Sequence, residues 1–251
     1  MSKLWDKTKE NIIFWQSSTR LRGRIVPVLH AWSKRSLISN LLWLQKKADT
    51  DMIMLGSLVD PNFINFSGFF GDRQPRKELI DMISFGIEAI RRYTNFKVHV
   101  TGLGSSPLSL HLAYYLGADS TDSAGYRRKA AYGKIILPGT GERYISNKSP
   151  RFGNITIKNS LELMWLKKCK CPVCSTDPRR LVGDWKARAI HNEYVIKQEW
   201  KMAQALLKIG MDAYEAYLDK IFEKSGLKYL WEYAKLRKKY VRISNILFGG
   251  K

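Results

Sequence analysis

Cys169, Cys171 and Cys174, followed 17 positions later by His191, are the residues with the plainest chemistry in this chain. Three thiolates and one imidazole form a donor set that zinc takes in a tetrahedron. A closed set of four, with no open position, is structural rather than catalytic. The three sulfurs sit on one short run, Cys169-Lys170-Cys171-Pro172-Val173-Cys174, and the chain has no other cysteine. That clustering does not suggest a disulfide framework; it fits a metal site in a reducing cytoplasm. The alternative is a chance cluster of free thiols, with His191 a surface histidine. Helical spacing over 184–209 places His191 on a helix, so a bound ion would tie that helix to the cysteine loop. An apparent zinc affinity of ~10–16 kcal/mol is enough to dominate the folding of such a segment.

Charge is the second signal. Lysine and arginine total 43 against 22 acids, a formal net charge of +21. The excess is spread out: Arg20, Arg22 and Arg24 early, Arg127, Arg128 and Lys129 midway, Arg237, Lys238 and Lys239 late. Either this is a solvated surface, or it meets a polyanion, whose neutralised phosphates release counterions and strengthen binding. A membrane partner is not expected. No run approaches the ~20 apolar residues of a span, and the charged start, Met1 to Glu10, lacks the apolar core of a signal peptide.

Elements that would position these groups follow from periodicity. Residues 5–19 have amphipathic helical spacing, as do Ser33–Lys47, with Leu37, Leu41 and Leu44 on one face, and 76–93. Arg24–Ala31, Met52–Leu58, Lys97–Gly104 and Ala118–Asp122 are short apolar runs that predict buried strands. Pro107–Leu116 predicts a helix between the last two. Beyond the cysteines, helices are expected over 184–209, 212–224 and 227–240. Strands alternating with helices mean βαβ units and a parallel sheet. An eight-stranded α/β barrel takes roughly 250 residues, about 30 per unit, and Asp122 is preceded by 121 residues. The expected fold is therefore α/β: a partial TIM (β/α)8-type barrel of about four units over 1–160. A zinc-binding segment and C-terminal helices then occupy 161–251.

From its third strand onward the chain resembles the tRNA-guanine transglycosylases, particularly the archaeosine type. Val98-His99-Val100-Thr101-Gly102-Leu103-Gly104 is similar to the family's strand and glycine turn. Asp122, Ser123, Ala124, Tyr126, Ala130 and Gly133 match its segment D-S-A-x-Y-x3-A-x2-G, and Arg128 matches an arginine of bacterial members. Cys169, Cys171 and Cys174 match its C-x-C-x2-C, and His191-Asn192 its His-Asn pair. Gly56-Ser57-Leu58 resembles the base-recognising Gly-Gly-Leu loop. Val28-Leu29-His30-Ala31 resembles a Val-Gln-Gly strand end, with histidine for glutamine.

The resemblance implies replacement of guanine in nucleic acid by a free 7-deazaguanine base, through a covalent glycosyl–aspartate formed by Asp122. Attack by a carboxylate at C1′ follows the logic of retaining glycosidases, and barrel active sites collect at strand C-termini, where Asp122 falls. An aspartate capping a turn is the alternative. Arg127, Arg128 and Lys129 are then placed for phosphates flanking a base taken out of the stack, or form a solvated basic turn. Gly56, Ser57 and Leu58 would present backbone to the base, or form a plain strand-end turn. His30 lines the base pocket or is a satisfied buried histidine. Thr101 and Gly102 lie under the base by resemblance only. His99 and His111 are expected to pack.

Three features of the family find no counterpart here: an Asp-Ser-Gly segment whose aspartate is the general acid/base, another early aspartate that reads the guanine edge, and a C-terminal nucleic-acid-binding domain. The expectation is the later half of the barrel, completed by a separately encoded N-terminal half or by a second copy in a dimer, or else a non-catalytic binding subunit. The missing domain and the basicity favour DNA, as in the DpdA branch of the superfamily, with tRNA as the alternative substrate. A phage-encoded protein acting in the host cytoplasm would fit that branch.

Overall fold

Short apolar runs become four strands, β1 (Val28–Leu29), β2 (Met52–Leu55), β3 (Lys97–Val100) and β4 (Ser120–Thr121). Helices α1 (Ser2–Ser17), α2 (Lys34–Lys47), α3 (Pro75–Tyr93) and α4 (Pro107–Leu116) alternate with them. The computed structural model describes residues 2–18, 20, 24–30, 34–56, 75–101, 107–122, 125–139, 141–145, 166–223 and 225–248. All pairings in this sheet are parallel and its order is β1-β2-β3-β4. That order never reverses, whereas a doubly wound sheet turns back at a switch point.

The strands are shorter than expected. Of the described residues in 24–31, Val28 and Leu29 form the strand; Pro27 before them has no N–H to donate, though its carbonyl accepts from Met54 N at 2.9 Å. Ala118–Asp122 contracts to Ser120–Thr121.

Register explains the layering. Leu29, Leu55 and Val100 share one face with Ile53 and Val98, all at most 1% exposed. This face packs with Leu37, Leu41 and Leu44 of α2 and Ile83, Ile87 and Ile90 of α3. Each such side chain contributes about 1.5–3 kcal/mol by leaving water. Val28, Met54, His99 and Ser120 oppose one another on the other face, which is only half-buried. Parallel sheets are ordinarily covered on both faces.

The chain forms two compact units. The first comprises Met1–Leu103, Leu112–Asp122 and Tyr229–Lys251, the second Gly104–His111 and Ser123–Lys228. The expected boundary at 160 lies outside the described residues. The second unit contains α5 (Gly125–Ala131), a hairpin of β5 (Lys134–Leu137) and β6 (Gly141–Tyr144), then α6 (Arg180–Gly183), α7 (Trp185–Ile209) and α8 (Met211–Phe222). A last helix, α9 (Lys228–Phe248), belongs to the first unit from Tyr229 onward. There Tyr233 donates its hydroxyl to Asp81 Oδ2 at 2.8 Å and Arg237 Nε pairs with Asp81 Oδ1 at 2.5 Å. Among the described residues no helix is long and apolar enough to cross a membrane.

Candidate active-site row and metal centre

The strand register brings four expected site residues into one row. Val28, Met54, His99 and Ser120 are mutual partners across the sheet, and side chains two residues apart point to the same face. Adding two residues to each gives His30, Gly56, Thr101 and Asp122. These are the next same-side positions, one residue past the C-terminal end of each strand of this sheet. Ser57, Leu58 and Gly102, expected beside them, lie outside the described residues.

Gly56 has a steric reason to lack a side chain. A Cβ there would lie 2.3 Å from Val28 Cγ1, and the His30 ring is 3.7 Å away. Gly56 N–H donates to Leu29 O at 3.1 Å, so the backbone of β2 runs close to β1 at this point. Burial pushes the His30 imidazole below its usual value, and Asn40 Nδ2 donates to the His30 carbonyl at 2.8 Å. Thr101 is half-buried.

Asp122 is the most open member of the row, with its side chain 61% exposed. Its carboxylate Oδ1 lies 3.7 Å from His99 Nε2, while His99 Nδ1 is 2.7 Å from Ser120 Oγ. Below it, Asp119 Oδ2 accepts from Val98 N–H at 2.7 Å and pairs with Arg91 at 2.5 Å, which fixes β4 against β3. His99 was expected only to pack. The signal that could have found it is register: His99 and Ser120 are direct partners, and Asp122 follows Ser120 by two.

In the second unit, the sulfurs of Cys169, Cys171 and Cys174 lie 3.6, 3.6 and 3.4 Å from His191 Nδ1. All four donor atoms fall within 4.8 Å of one another. A tetrahedral ion with metal–sulfur bonds of ~2.3 Å and a metal–nitrogen bond of ~2.05 Å requires sulfur–nitrogen edges of about 3.6 Å. The donors therefore fit a tetrahedral metal ion. Ile135, Leu137, Val173, Leu181 and Ala187 enclose the cluster. His191 Nε2 lies 3.0 Å from Ile136 O, which fixes the outer nitrogen as the N–H and leaves Nδ1 for a metal. Asn192 next to it accepts from Ile136 N–H at 2.7 Å and donates to the carbonyls of Tyr126 and Lys134 at 3.0 and 3.2 Å. The His-Asn pair thus clasps α7 to β5 and α5.

The donors also polarise one another. The Cys169 thiol is held down to about 4, first by its bond with Cys174 and then by His191, whereas Cys174 is pushed up by that same bond and by burial. Burial opposes a charge on His191, but its bonds to Cys169 and Cys171 outweigh that and raise it to about 9. A divalent cation bound here would displace the protons still held by the Cys174 thiol and the His191 ring.

The basic run splits. Arg127 and Arg128 are exposed on α5. Lys129 departs from the expectation: it is 8% exposed and ion-paired with Glu142, and burial, then neighbouring Lys134, pulls its ammonium down to about 7. Its ammonium is engaged within the protein by Glu142. Gly133, which ends this segment, has φ +79°, a conformation that favours glycine. Of the late run, Arg237 is committed to Asp81, and Lys238 donates to Tyr115 O at 2.7 Å with its ammonium 4.0 Å from that ring's centroid.

Sequence comparison adds one relative. Over 138 residues, 53% of this chain, the protein is 33% identical to the tRNA-guanine(15) transglycosylase of Saccharolobus solfataricus. The chain is similar to a guanine transglycosylase. The match spans 24% of that relative, so this chain covers about a quarter of its length. No family model matches.

Proposed function

We propose that this chain carries out guanine base exchange in nucleic acid, with Asp122 as nucleophile. The observation that carries the proposal is the register of Val28, Met54, His99 and Ser120, from which His30, Gly56, Thr101 and Asp122 each follow by two residues. The carboxylate of Asp122 attacks C1′ of the target nucleotide, the C1′–N9 bond breaks, and guanine departs with that electron pair and takes up a proton. The incoming 7-deazaguanine base then attacks C1′, expels the carboxylate and loses its own proton. This two-step route splits one difficult displacement into two easier ones. An exposed carboxylate at a strand C-terminus suits a base that must leave its stack to be reached.

His30, Thr101 and the bare backbone at Gly56 form the base-facing wall, and Ser57, Leu58 and Gly102 are taken as further base contacts by the family resemblance alone. Arg127 and Arg128 contact phosphates. The metal is structural zinc held by Cys169, Cys171, Cys174 and His191; it supplies no reacting group and ties α7 to the cysteine loop. The unreversed sheet order and half-buried face support the later half of a (β/α)8 barrel over 1–160. A separately encoded half or a second copy of the chain would complete it.

DNA is the first substrate to test, in keeping with the net charge of +21. A tRNA substrate is the second, favoured by the name of the Saccharolobus solfataricus relative. The test incubates the chain, alone and with a candidate completing half, with duplex DNA or tRNA but without a replacement base. The complete system is expected to accumulate a covalent protein–nucleic acid adduct that survives denaturation, and Asp122→Asn to abolish it while binding persists. An active system in which Asp122→Asn still forms the adduct overturns the assignment. The arm that yields adduct identifies the substrate.

A further inference from the structure

Helix α7 carries two unlike faces. Arg188, His191, Asn192, Val195, Glu199 and Ala203 are buried and bind it to the rest of the second unit. On the opposite side Lys186, Lys197, Lys201 and Lys208 are all exposed. At about 100° of turn per residue these four fall within about 60° of one another, in a row ~33 Å long. We infer that this row is a phosphate-binding ridge that lies along the backbone of a nucleic-acid duplex. This rests on the nucleic-acid partner of the proposed base exchange, and not on Asp122 as nucleophile.

A solvated helix face ordinarily carries both signs of charge, because glutamate and lysine four residues apart stabilise each other. Here Glu193 is the one carboxylate on the exposed side, and it pairs with Lys197 at 2.7 Å; Glu199 is buried. Lys197 and Lys201 are like charges four residues apart, an arrangement that disfavours a helix. Lys186 sits in the first turn, where the helix dipole also opposes a cation. Asp184 caps that end by accepting from Lys186 N–H at 2.8 Å. Lys208, in the last turn, suits the dipole. Lys186 and Lys201 have no such helical reason, and a polyanion supplies one.

Length and charge both match a duplex. One duplex turn is ~34–36 Å, and duplex DNA carries one negative charge per ~1.7 Å of axis. Lys186 and Lys201 are about 22 Å apart along the helix, and Lys201 and Lys208 about 10 Å. Both separations exceed the ~8 Å over which physiological salt screens a charge. Each ammonium therefore displaces counterions from its own stretch of backbone, while Lys197 is held by Glu193.

The test measures affinity of the full chain across a salt series, for a duplex DNA of about 20 base pairs and for tRNA. Lys186→Gln, Lys201→Gln and Lys208→Gln together should flatten the slope of log affinity against log salt by about 2–3, near 0.9 per lost phosphate contact. Arginine at the same three positions should keep the wild-type slope. Lys7→Gln, Lys46→Gln and Lys47→Gln remove equal charge from exposed positions on α1 and α2, and should change the slope by less than about 1. Zinc content and the unfolding midpoint check that the fold is intact, since exposed substitutions leave both nearly unchanged. A glutamine triple with the wild-type slope, or a control triple that flattens it equally, overturns the ridge. Loss of self-association in place of the slope change assigns the face to a second copy, and overturns it too. A flat wild-type slope removes the nucleic-acid partner and the proposed function with it, whereas a steep slope without adduct removes base exchange alone. The arm with the larger change, DNA or tRNA, identifies the duplex that the face holds.

Discussion

His191 donates its Nε2 hydrogen to the carbonyl of Ile136 across 3.0 Å, so strand β5 determines which ring nitrogen faces the three sulfurs. The hairpin is in this sense part of the metal centre, although it supplies no ligand. One zinc per chain is expected, falling to about a tenth of an equivalent in Cys171→Ser, because loss of one thiolate from a closed set of four removes much of an affinity of ~10–16 kcal/mol. Metal analysis of purified, reduced protein checks this. Wild type with well under half an equivalent would remove the zinc assignment.

Glu199 concentrates a different kind of stability. It is 5% exposed; Tyr217 donates to it at 2.7 Å, Gly139 N–H donates at 2.8 Å, and His111 Nε2 lies 2.9 Å away. Burial pushes its carboxyl up, yet the bonds from His111, Tyr217 and Gly139 outweigh this and leave it below the usual range. A lowered folded value means the stabilisation is complete above the ordinary carboxyl value of about 4.3 and fades as pH falls below it. Glu199→Gln should therefore cost about 1–3 kcal/mol at neutral pH, with the gap to wild type narrowing as pH drops through ~4. Denaturant unfolding at several pH values tests the sign: a gap that widens on acidification contradicts it.

Arg127 and Arg128 differ from Lys129 in a way salt titration can read. Removing both arginines should flatten the slope of log affinity against log salt by about 2, close to one unit per lost phosphate contact. Lys129→Met should leave the slope at the wild-type value, since that ammonium is already spent on Glu142. Equal effects from all three positions would put Lys129 back among the phosphate contacts.

At Gly56 the clash with Val28 is specific enough for a double-mutant cycle. Gly56→Ala should destabilise by about 1–3 kcal/mol, as overpacking does. Val28→Ala in the same chain should recover a large part of it, because the atom in the way, Val28 Cγ1, is gone. Additive losses measured by chemical unfolding would show that the strand ends part before the methyl is felt.

How much of this could be read from the chain alone varies with the interaction. Leu37, Leu41 and Leu44 declare the inner face of α2 through spacing, and the helix appears at Lys34–Lys47. Strand ends were legible only to within a few residues, since pairing depends on neighbours: β1 and β4 each reach two residues. The β5–β6 hairpin went unrecognised although Ile135 and Ile136 are fully buried, because its partner strand Gly141–Tyr144 has little apolar pattern. The metal centre was legible because cysteine chemistry is local in sequence. Lys129 was not, as its burial depends on Glu142, 13 residues on. His99 needed the β3–β4 register, a relation between segments 21 residues apart.

The contact of Tyr233 with Asp81 joins residues 152 positions apart, and that of Lys238 with Tyr115 spans 123. Thermodynamically such long closures are cheap, since each doubling of loop length adds only about 0.6 kcal/mol. Kinetically they come late. On the ribosome, β1 to β4 emerge long before α9, and the cysteine segment is synthesised between them, so the first unit waits, incomplete, while the second is made. Metal capture by the later-made segment can therefore precede closure of the unit that began the chain, and a polypeptide cut anywhere between Asp122 and Tyr229 would leave that earlier unit without its last helix.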